Sequence, residues 1–222
     1  MSADLTHVDV WLFDLDNTLY PAESEFMALI EARLTDFMQR ETGLPRNEAR
    51  ALQKRYLHEH GTTLAGLMAH HGIDPELFLD EVHDVSLDGL QPDPELDEAL
   101  ARLPGRRLVF TNGDARHADR VLGRLGIADR FEAVFHIASA DYVPKPHPGT
   151  FQRMIQAHAV DPVRAAFFED SERNLAPAAT LGMTTVLVGA HAAASSASFV
   201  QHRTEKLAPF LCAARVKETL SP

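Results

Sequence analysis

Apolar residues fall along this chain in two rhythms. Five short runs rich in Val, Leu, Ile and Phe, at Val8–Phe13, Leu108–Thr111, Ala133–Ile137, Ala165–Glu169 and Thr185–Val188, show no clean alternation with polar residues. Such runs predict strands covered on both faces, as in a parallel sheet. Between the last four runs the rhythm lengthens to the helical one. Ala115–Leu125 carries Ala118, Val121, Leu122 and Leu125 on one stripe. Pro148–His158 opens with Pro at a first helical position and aligns Phe151, Met154 and Ile155, and Glu172–Leu181 continues the alternation. Strand and helix in turn predict an α/β fold with a doubly wound parallel, Rossmann-like sheet of about five strands.

The stretch Tyr20–Gly105 breaks that order, because it contains no strand-like run. Phe26, Ile30, Leu34, Phe37 and Met38 recur at helical spacing there. Leu52, Tyr56 and Leu57, then Leu64, Leu67 and Met68, then Leu77, Phe78 and Val82 follow in further segments. Asp74-Pro75 and Asp93-Pro94 read as N-caps with Pro in the first turn, and Gly43, Gly61 and Gly72 as helix ends. The expected organisation is a core of residues 1–20 and 105–222 with an α-helical cap subdomain, 21–104, inserted after strand one. A helix at about 94–103 returns the chain to the sheet. Ala190–Ser198, rich in Ala and Ser, reads as a loop.

Composition narrows the classes of function. The chain has 222 residues, 45% hydrophobic and 24% charged, enough for a sizeable core and too apolar for disorder. Its 21 Lys and Arg against 32 Asp and Glu give a formal net charge of -11. That field repels a nucleic-acid polymer, whereas a small phosphorylated ligand can still be held by a local Lys and a metal. A single cysteine, Cys212, excludes an internal disulfide and a Cys-rich zinc site. No apolar run reaches the length of a membrane span, and the N-terminus lacks the basic and apolar regions of a signal peptide. The expectation is a cytoplasmic protein without membrane partners, monomer or homodimer.

The candidate chemistry lies at the ends of the predicted strands, where ligands of open α/β sheets bind. Asp14 and Asp16 follow the first strand, two residues apart, with Asn17 able to take a left-handed turn. One such acid can attack or bind metal while the other shuttles a proton, although two acids in a solvated turn would look the same. After the second strand, Thr111-Asn112-Gly113 offers a hydroxyl, an amide and a permissive glycine for a phosphate. Lys145 stands among Pro144, Pro146 and Pro148, which stiffen its backbone. Glu169 and Asp170 end the fourth run and could supply oxygen ligands to a hard cation, or merely complement a helix dipole. Ser171 is placed to cap the helix that follows.

The segments FDLDNTLY, FTNGD, VPKPHPGTF and FFEDSERN occur in this order between Phe13 and Asn174. Together they resemble the haloacid dehalogenase superfamily, whose members are mostly Mg²⁺-dependent phosphatases, and the insert resembles its helical cap. The resemblance implies that Asp14 is the nucleophile that becomes an aspartyl-phosphate. Asp16 would protonate the leaving oxygen and later deprotonate water. Thr111 and Asn112 would hold the phosphate, and Lys145 would balance its charge and that of Asp14. Mg²⁺ would be held by Asp14, Asp170 and the backbone carbonyl of Asp16, with Glu169 in support directly or through water. True dehalogenases expel a halide, which needs no proton, and carry a non-acid where Asp16 stands. The acid therefore favours phosphate esters. Glu169-Asp170 replaces the Asp-Asp of many relatives.

Asn17–Pro21, the cap length, and Thr111–Asp114 followed by His117, Ala118 and Leu122–Ile127 are similar to the pyrimidine 5′-nucleotidase branch. The expected substrate is a small phosphorylated metabolite, a pyrimidine nucleoside 5′-monophosphate first. A sugar-phosphate phosphatase or phosphomutase is the nearest alternative. A non-catalytic phosphate-binding regulatory module is the alternative of another class. Of twelve histidines, His58 and His60 fall on different helix faces and make a poor chelating pair. His70 and His71 suit a helix end, His147 neighbours Lys145, and Asp114, Arg116 and His117 either approach substrate or begin a solvated helix. Trp11, inside the first strand, is expected in the core.

Overall fold

The computed structural model describes residues 2–218. The strands are β1 (Val10–Phe13), β2 (Arg106–Phe110), β3 (Ala133–Phe135), β4 (Ala165–Glu169), β5 (Thr184–Val188) and β6 (His202–Thr204). They form a parallel sheet in the order β3-β2-β1-β4-β5-β6. All five predicted runs are strands, with ends shifted by up to two residues. The sixth was not anticipated. Its three residues, none fully buried, pair only along β5, so the hydrophobic signature of a covered strand is missing.

Successive strand residues point to opposite sheet faces, and each face has its own core. Trp11, Phe13, Val109, Phe168 and Val186 pack on one side, and Leu12, Phe110, Phe167 and Leu187 on the other. Phe13 and Phe168, side by side on β1 and β4, stack at 4.8 Å. Trp11 is fully buried, as expected, and its Nε1 donates to the Pro104 carbonyl at 2.7 Å.

Four helices fill the stretch between β1 and the return: α1 (Phe26–Thr42), α2 (Arg46–His60), α3 (Thr63–His71) and α4 (Pro75–Val82). Phe37, Met38, Tyr56, Leu67, Phe78 and Val82 give them a third hydrophobic cluster of their own. Helix α1 belongs to two cores, because Phe26 and Ile30 at its start pack with the sheet. Leu57 and Leu77, read as part of the apolar stripes, are instead exposed at 49% and 62%. Helix α5 (Pro94–Ala101) brings the chain back and packs on the sheet through Leu96 and Leu100. The Asp74 carboxylate accepts from the Glu76 N–H at 2.9 Å and that of Asp93 from the Leu96 N–H at 3.0 Å, so both predicted caps form.

The remaining helices are α6 (Ala115–Leu125), α7 (Pro148–His158), α8 (Glu172–Thr180) and α9 (Leu207–Ala213). The Ala190–Ser198 stretch holds a short 3₁₀ turn at Ala192–Ala194 that buries Ala192. Among the described residues no helix is long and apolar enough to cross a membrane. The strand order reverses direction at β1 and β4, which opens a crevice beyond their carboxyl ends.

Candidate active site

Asp14 continues β1 into that crevice, and its N–H donates to the Phe168 carbonyl at 2.9 Å. The chain then turns sharply through Asn17, whose φ of 61° is the left-handed conformation its short amide side chain accommodates. Glu169 and Asp170 arrive from the end of β4. Lys145, from the loop before α7, is 1% exposed and supplies the charge between them. Its Nζ donates to Asp14 Oδ1 at 2.7 Å, Glu169 Oε2 at 2.8 Å and the Phe110 carbonyl at 2.7 Å. All three ammonium protons are thereby directed, so this buried charge carries no unmet demand.

Asn112 holds the lysine's backbone rather than offering its amide to the crevice. Its Oδ1 accepts from the Lys145 N–H at 2.8 Å and its Nδ2 donates to the Lys145 carbonyl at 3.2 Å. Thr111, almost fully buried, accepts from the Gly113 N–H at 2.9 Å and keeps its hydroxyl proton for another acceptor. Ser171 caps nothing with its side chain. Its backbone N–H instead donates to Glu169 Oε1 at 3.0 Å. His147 lies exposed and accepts the Gly149 N–H at the start of α7.

Asp14, Glu169 and Asp170 each place a carboxylate oxygen within 4.8 Å of the others. Three acids face a single lysine, a surplus of negative charge that a hard divalent cation on oxygen ligands would neutralise. The carboxyl groups register this surplus. Burial, then repulsion from Glu169, pushes Asp14 up to about 8. Burial likewise raises Glu169 to about 7 and Asp170 to about 6. Burial works against the Lys145 charge, yet Asp14 and Glu169 outweigh it and raise the lysine above its ordinary value. The donor set thus fits a divalent ion.

Asp16 faces the other flank. Tyr20 donates its hydroxyl to Asp16 Oδ1 at 2.7 Å, and His117 Nε2 lies 2.8 Å from the same oxygen. Burial would raise this carboxyl, but His117 and Tyr20 overcome it and hold Asp16 at about 2. His117 is 1% exposed, so α6 does not begin as a solvated helix there. Its ring lies parallel to His83 at 4.1 Å and to Phe26 at 5.9 Å. His83, just after α4, is paired through Nδ1 with Asp114, whose other oxygen accepts the His117 N–H at 2.8 Å. The sequence alone does not bring these residues together, although it carries one signal. His117, Val121 and Leu125 stand four apart, so the histidine continues the buried stripe of α6.

A second group of histidines lies in the insert around Tyr56, whose ring stacks on His70 at 5.3 Å and whose hydroxyl lies 2.9 Å from His71 Nε2. His60 and His70, from α2 and α3, meet at 3.1 Å between their Nε2 atoms, where a hydrogen bond accounts for the contact. His58 takes no part.

Comparison with known proteins follows the same segments. A family model described as haloacid dehalogenase-like hydrolase matches residues 8–182. Phosphate metabolism protein 8 of Saccharomyces cerevisiae is 32% identical over 194 residues, 80% of this chain and 60% of that protein. Fructose-1-phosphate phosphatase YqaB of Escherichia coli is 32% identical over 122 residues, 51% of this chain and 63% of that protein. The chain therefore spans under two thirds of the length of these relatives. Among solved structures, a HAD phosphatase from Thermococcus onnurineus superposes with a TM-score of 0.62 at 21% identity, over 97% of this chain and 100% of that one. A dehalogenase in an intermediate complex superposes with a TM-score of 0.59 at 14% identity, over 94% and 98%. At such identities these two structures speak for the fold. The matched family span runs from β1 through α8 and includes all seven candidate site residues, Asp14, Asp16, Thr111, Asn112, Lys145, Glu169 and Asp170. On that evidence the chain belongs to the haloacid dehalogenase-like hydrolases.

Proposed function

We propose that this protein is a Mg²⁺-dependent phosphatase that hydrolyses a small phosphate monoester through an aspartyl-phosphate. One observation carries the reading. Two carboxylates on one loop are held apart in role, Asp14 among acids and a buried lysine, Asp16 by two hydrogen-bond donors. A phosphate-binding regulatory module has no need of the second arrangement.

In the proposed reaction a carboxylate oxygen of Asp14 attacks phosphorus and the bond to the leaving oxygen breaks. Asp16 passes its proton to that oxygen, without which an alkoxide leaves poorly. Asp16 then takes a proton from water as the water oxygen attacks phosphorus, releasing inorganic phosphate and restoring Asp14. Lys145 balances the charge of Asp14. Thr111 would hold the phosphate through its hydroxyl, and Asn112 through its backbone N–H, since its amide already holds Lys145. Asp14, Asp170 and the carbonyl of Asp16 would hold Mg²⁺, with Glu169 behind them. The ion would supply screening of the repulsion between phosphate and carboxylates. Helices α1–α4 would form the cap, within boundaries of about 21 and 104.

Pyrimidine nucleoside 5′-monophosphates remain the first substrate class on the Asn17–Pro21 and Thr111–Ile127 resemblance. The relative named as a fructose-1-phosphate phosphatase favours sugar phosphates as the second. The test is phosphate release from a panel of nucleoside monophosphates and sugar phosphates, with Mg²⁺ and with chelator. Release from UMP and CMP that chelator abolishes supports the nucleotidase reading. Preference for sugar phosphates keeps the chemistry and changes the branch. Binding of phosphate without release from any ester overturns the phosphatase reading in favour of the regulatory module.

A further inference from the structure

Asp16 receives its two hydrogen bonds on one oxygen. Tyr20 Oη at 2.7 Å and His117 Nε2 at 2.8 Å both meet Oδ1, while Oδ2 accepts no side-chain or backbone hydrogen bond among the described residues. A protonated carboxyl has one O–H and one carbonyl oxygen, and only the carbonyl oxygen can accept from two donors at once. We infer that His117 is a positioning residue for proton transfer: with Tyr20 it pins Asp16 Oδ1, so the proton given to the leaving group travels on Oδ2. This rests on the phosphatase reading and on Asp16 as its acid.

The geometry favours a fixed donor over a proton relay. Oδ1 stays an acceptor whether Asp16 is ionised or protonated, so His117 keeps its Nε2 proton through the cycle. The ring is held in plane by its stack on His83 at 4.1 Å, and its backbone by Asp114 at 2.8 Å. Its approach depends on the glycine beside it. A Cβ on Gly113 would lie 3.0 Å from His117 Cδ2, closer than ordinary carbon contacts allow. His83 belongs to the inserted helical stretch, so the seat of that stretch on α6 bears on the acid through one ring. The Asp16 side chain keeps 22% of its area exposed while His117 keeps 1%, so the acid stays accessible although the ring that pins Oδ1 is not.

A residue that aims an acid matters most where the leaving group needs a proton. The experiment compares kcat/KM, which reports only the steps through release of the leaving group, on the fastest alkyl phosphate of the panel and on 4-nitrophenyl phosphate, whose phenolate leaves without a proton. His117→Leu and Tyr20→Phe each remove one donor from Oδ1. Each is expected to reduce kcat/KM on the alkyl ester about 10-fold or more, a part of the usual contribution of an acid. The loss on the aryl ester should be at least ten times smaller. His117→Gln, whose amide nitrogen reaches about as far as Nε2, should recover most of the alkyl activity. Equal losses on both esters, or no loss on either, would overturn the inference while the phosphatase reading stands. If His117→Leu does not fold, Tyr20→Phe decides by the same ratio. If the wild type releases phosphate from neither ester, the phosphatase reading fails and the inference falls with it.

Discussion

Asp14 and Asp16 leave the same strand two residues apart and enter opposite surroundings. On the Asp14 flank two buried carboxylates share one lysine with Asp170 beside them, and burial with repulsion pushes Asp14 up to about 8. On the Asp16 flank the same burial is overcome by His117 and Tyr20, and the carboxyl is held at about 2. The proposed reaction needs the reverse, Asp14 ionised and Asp16 carrying a proton. The charges that arrive act in the required direction on both. A divalent cation favours the ionised form of Asp14, and a phosphate dianion beside Asp16 favours its protonated form. The difference between the flanks teaches that the two acids answer to different ligands, Asp14 to a cation and Asp16 to a phosphate.

The sharpest way to separate the flanks is to neutralise each acid. Asp14→Asn removes the proposed nucleophile and should lower phosphate release from every ester by on the order of 10⁴-fold or more. Asp16→Asn should lower kcat/KM for alkyl esters by about 10²–10⁴-fold and for 4-nitrophenyl phosphate far less, while kcat falls on both because water loses its base. Steady-state kinetics on both substrates would collapse the comparison if the two variants lost activity in the same ratio. Next in size is Lys145→Met, which leaves Asp14 and Glu169 buried without their cation. Breaking such a group from one side costs about 3–5 kcal/mol. Urea denaturation in chelator should register that loss, and unchanged stability would mean that the acids do not depend on the lysine.

The Asp14 flank also predicts how stability follows pH. In chelator, folded Asp14 binds its proton up to about pH 8, whereas the ordinary value is 3.8. A carboxyl raised on folding adds stability below its ordinary pKa and loses it as pH climbs toward the folded value. Glu169 and Asp170, raised to about 7 and about 6, act in the same sense. The chelated protein should therefore melt at a lower temperature at pH 8 than at pH 6 by way of this cluster. Mg²⁺ at a hundredfold excess over its Kd should restore about 2.7 kcal/mol. The rise in Tm on adding Mg²⁺ should be larger at pH 8, and an increment independent of pH would contradict the charge surplus.

The two flanks were not equally legible in the sequence. Lys145 reaches the site from the loop before α7, where the prolines mark it. Asp14, Glu169 and Asp170 stand at strand ends, and a parallel sheet delivers strand ends to one crevice, so their meeting follows from the topology. Asp16 was found for the same reason, but its partners were not. His117 reaches it across 101 positions of sequence, and its neighbour His83 comes from the insert, whose seat on the sheet no local pattern encodes. The role of Asn112 was hidden likewise, because only the fold shows that Lys145 takes up both ends of its amide. In the fold, covered strands were readable from apolar runs, whereas β6 is short, polar and paired on one edge.

Helix caps offer the finest test of the contrast, since each flank begins a helix. On the Asp16 flank, Asp114 caps α6 by its side chain and accepts the His117 N–H at 2.8 Å. Asp114→Ala should cost about 1 kcal/mol of stability. It should also free His83 and His117, so the loss is expected to come with reduced alkyl phosphate turnover. On the Asp14 flank, Ser171 occupies the cap position of α8 but its hydroxyl makes no capping bond. What that residue supplies is its backbone N–H to Glu169 Oε1 at 3.0 Å, and alanine keeps it. Ser171→Ala should therefore change stability by less than about 0.5 kcal/mol. Paired denaturation curves measure both. A cost at Ser171 equal to that at Asp114 would mean that the hydroxyl does cap α8, and that the start of this helix relies on its side chain after all.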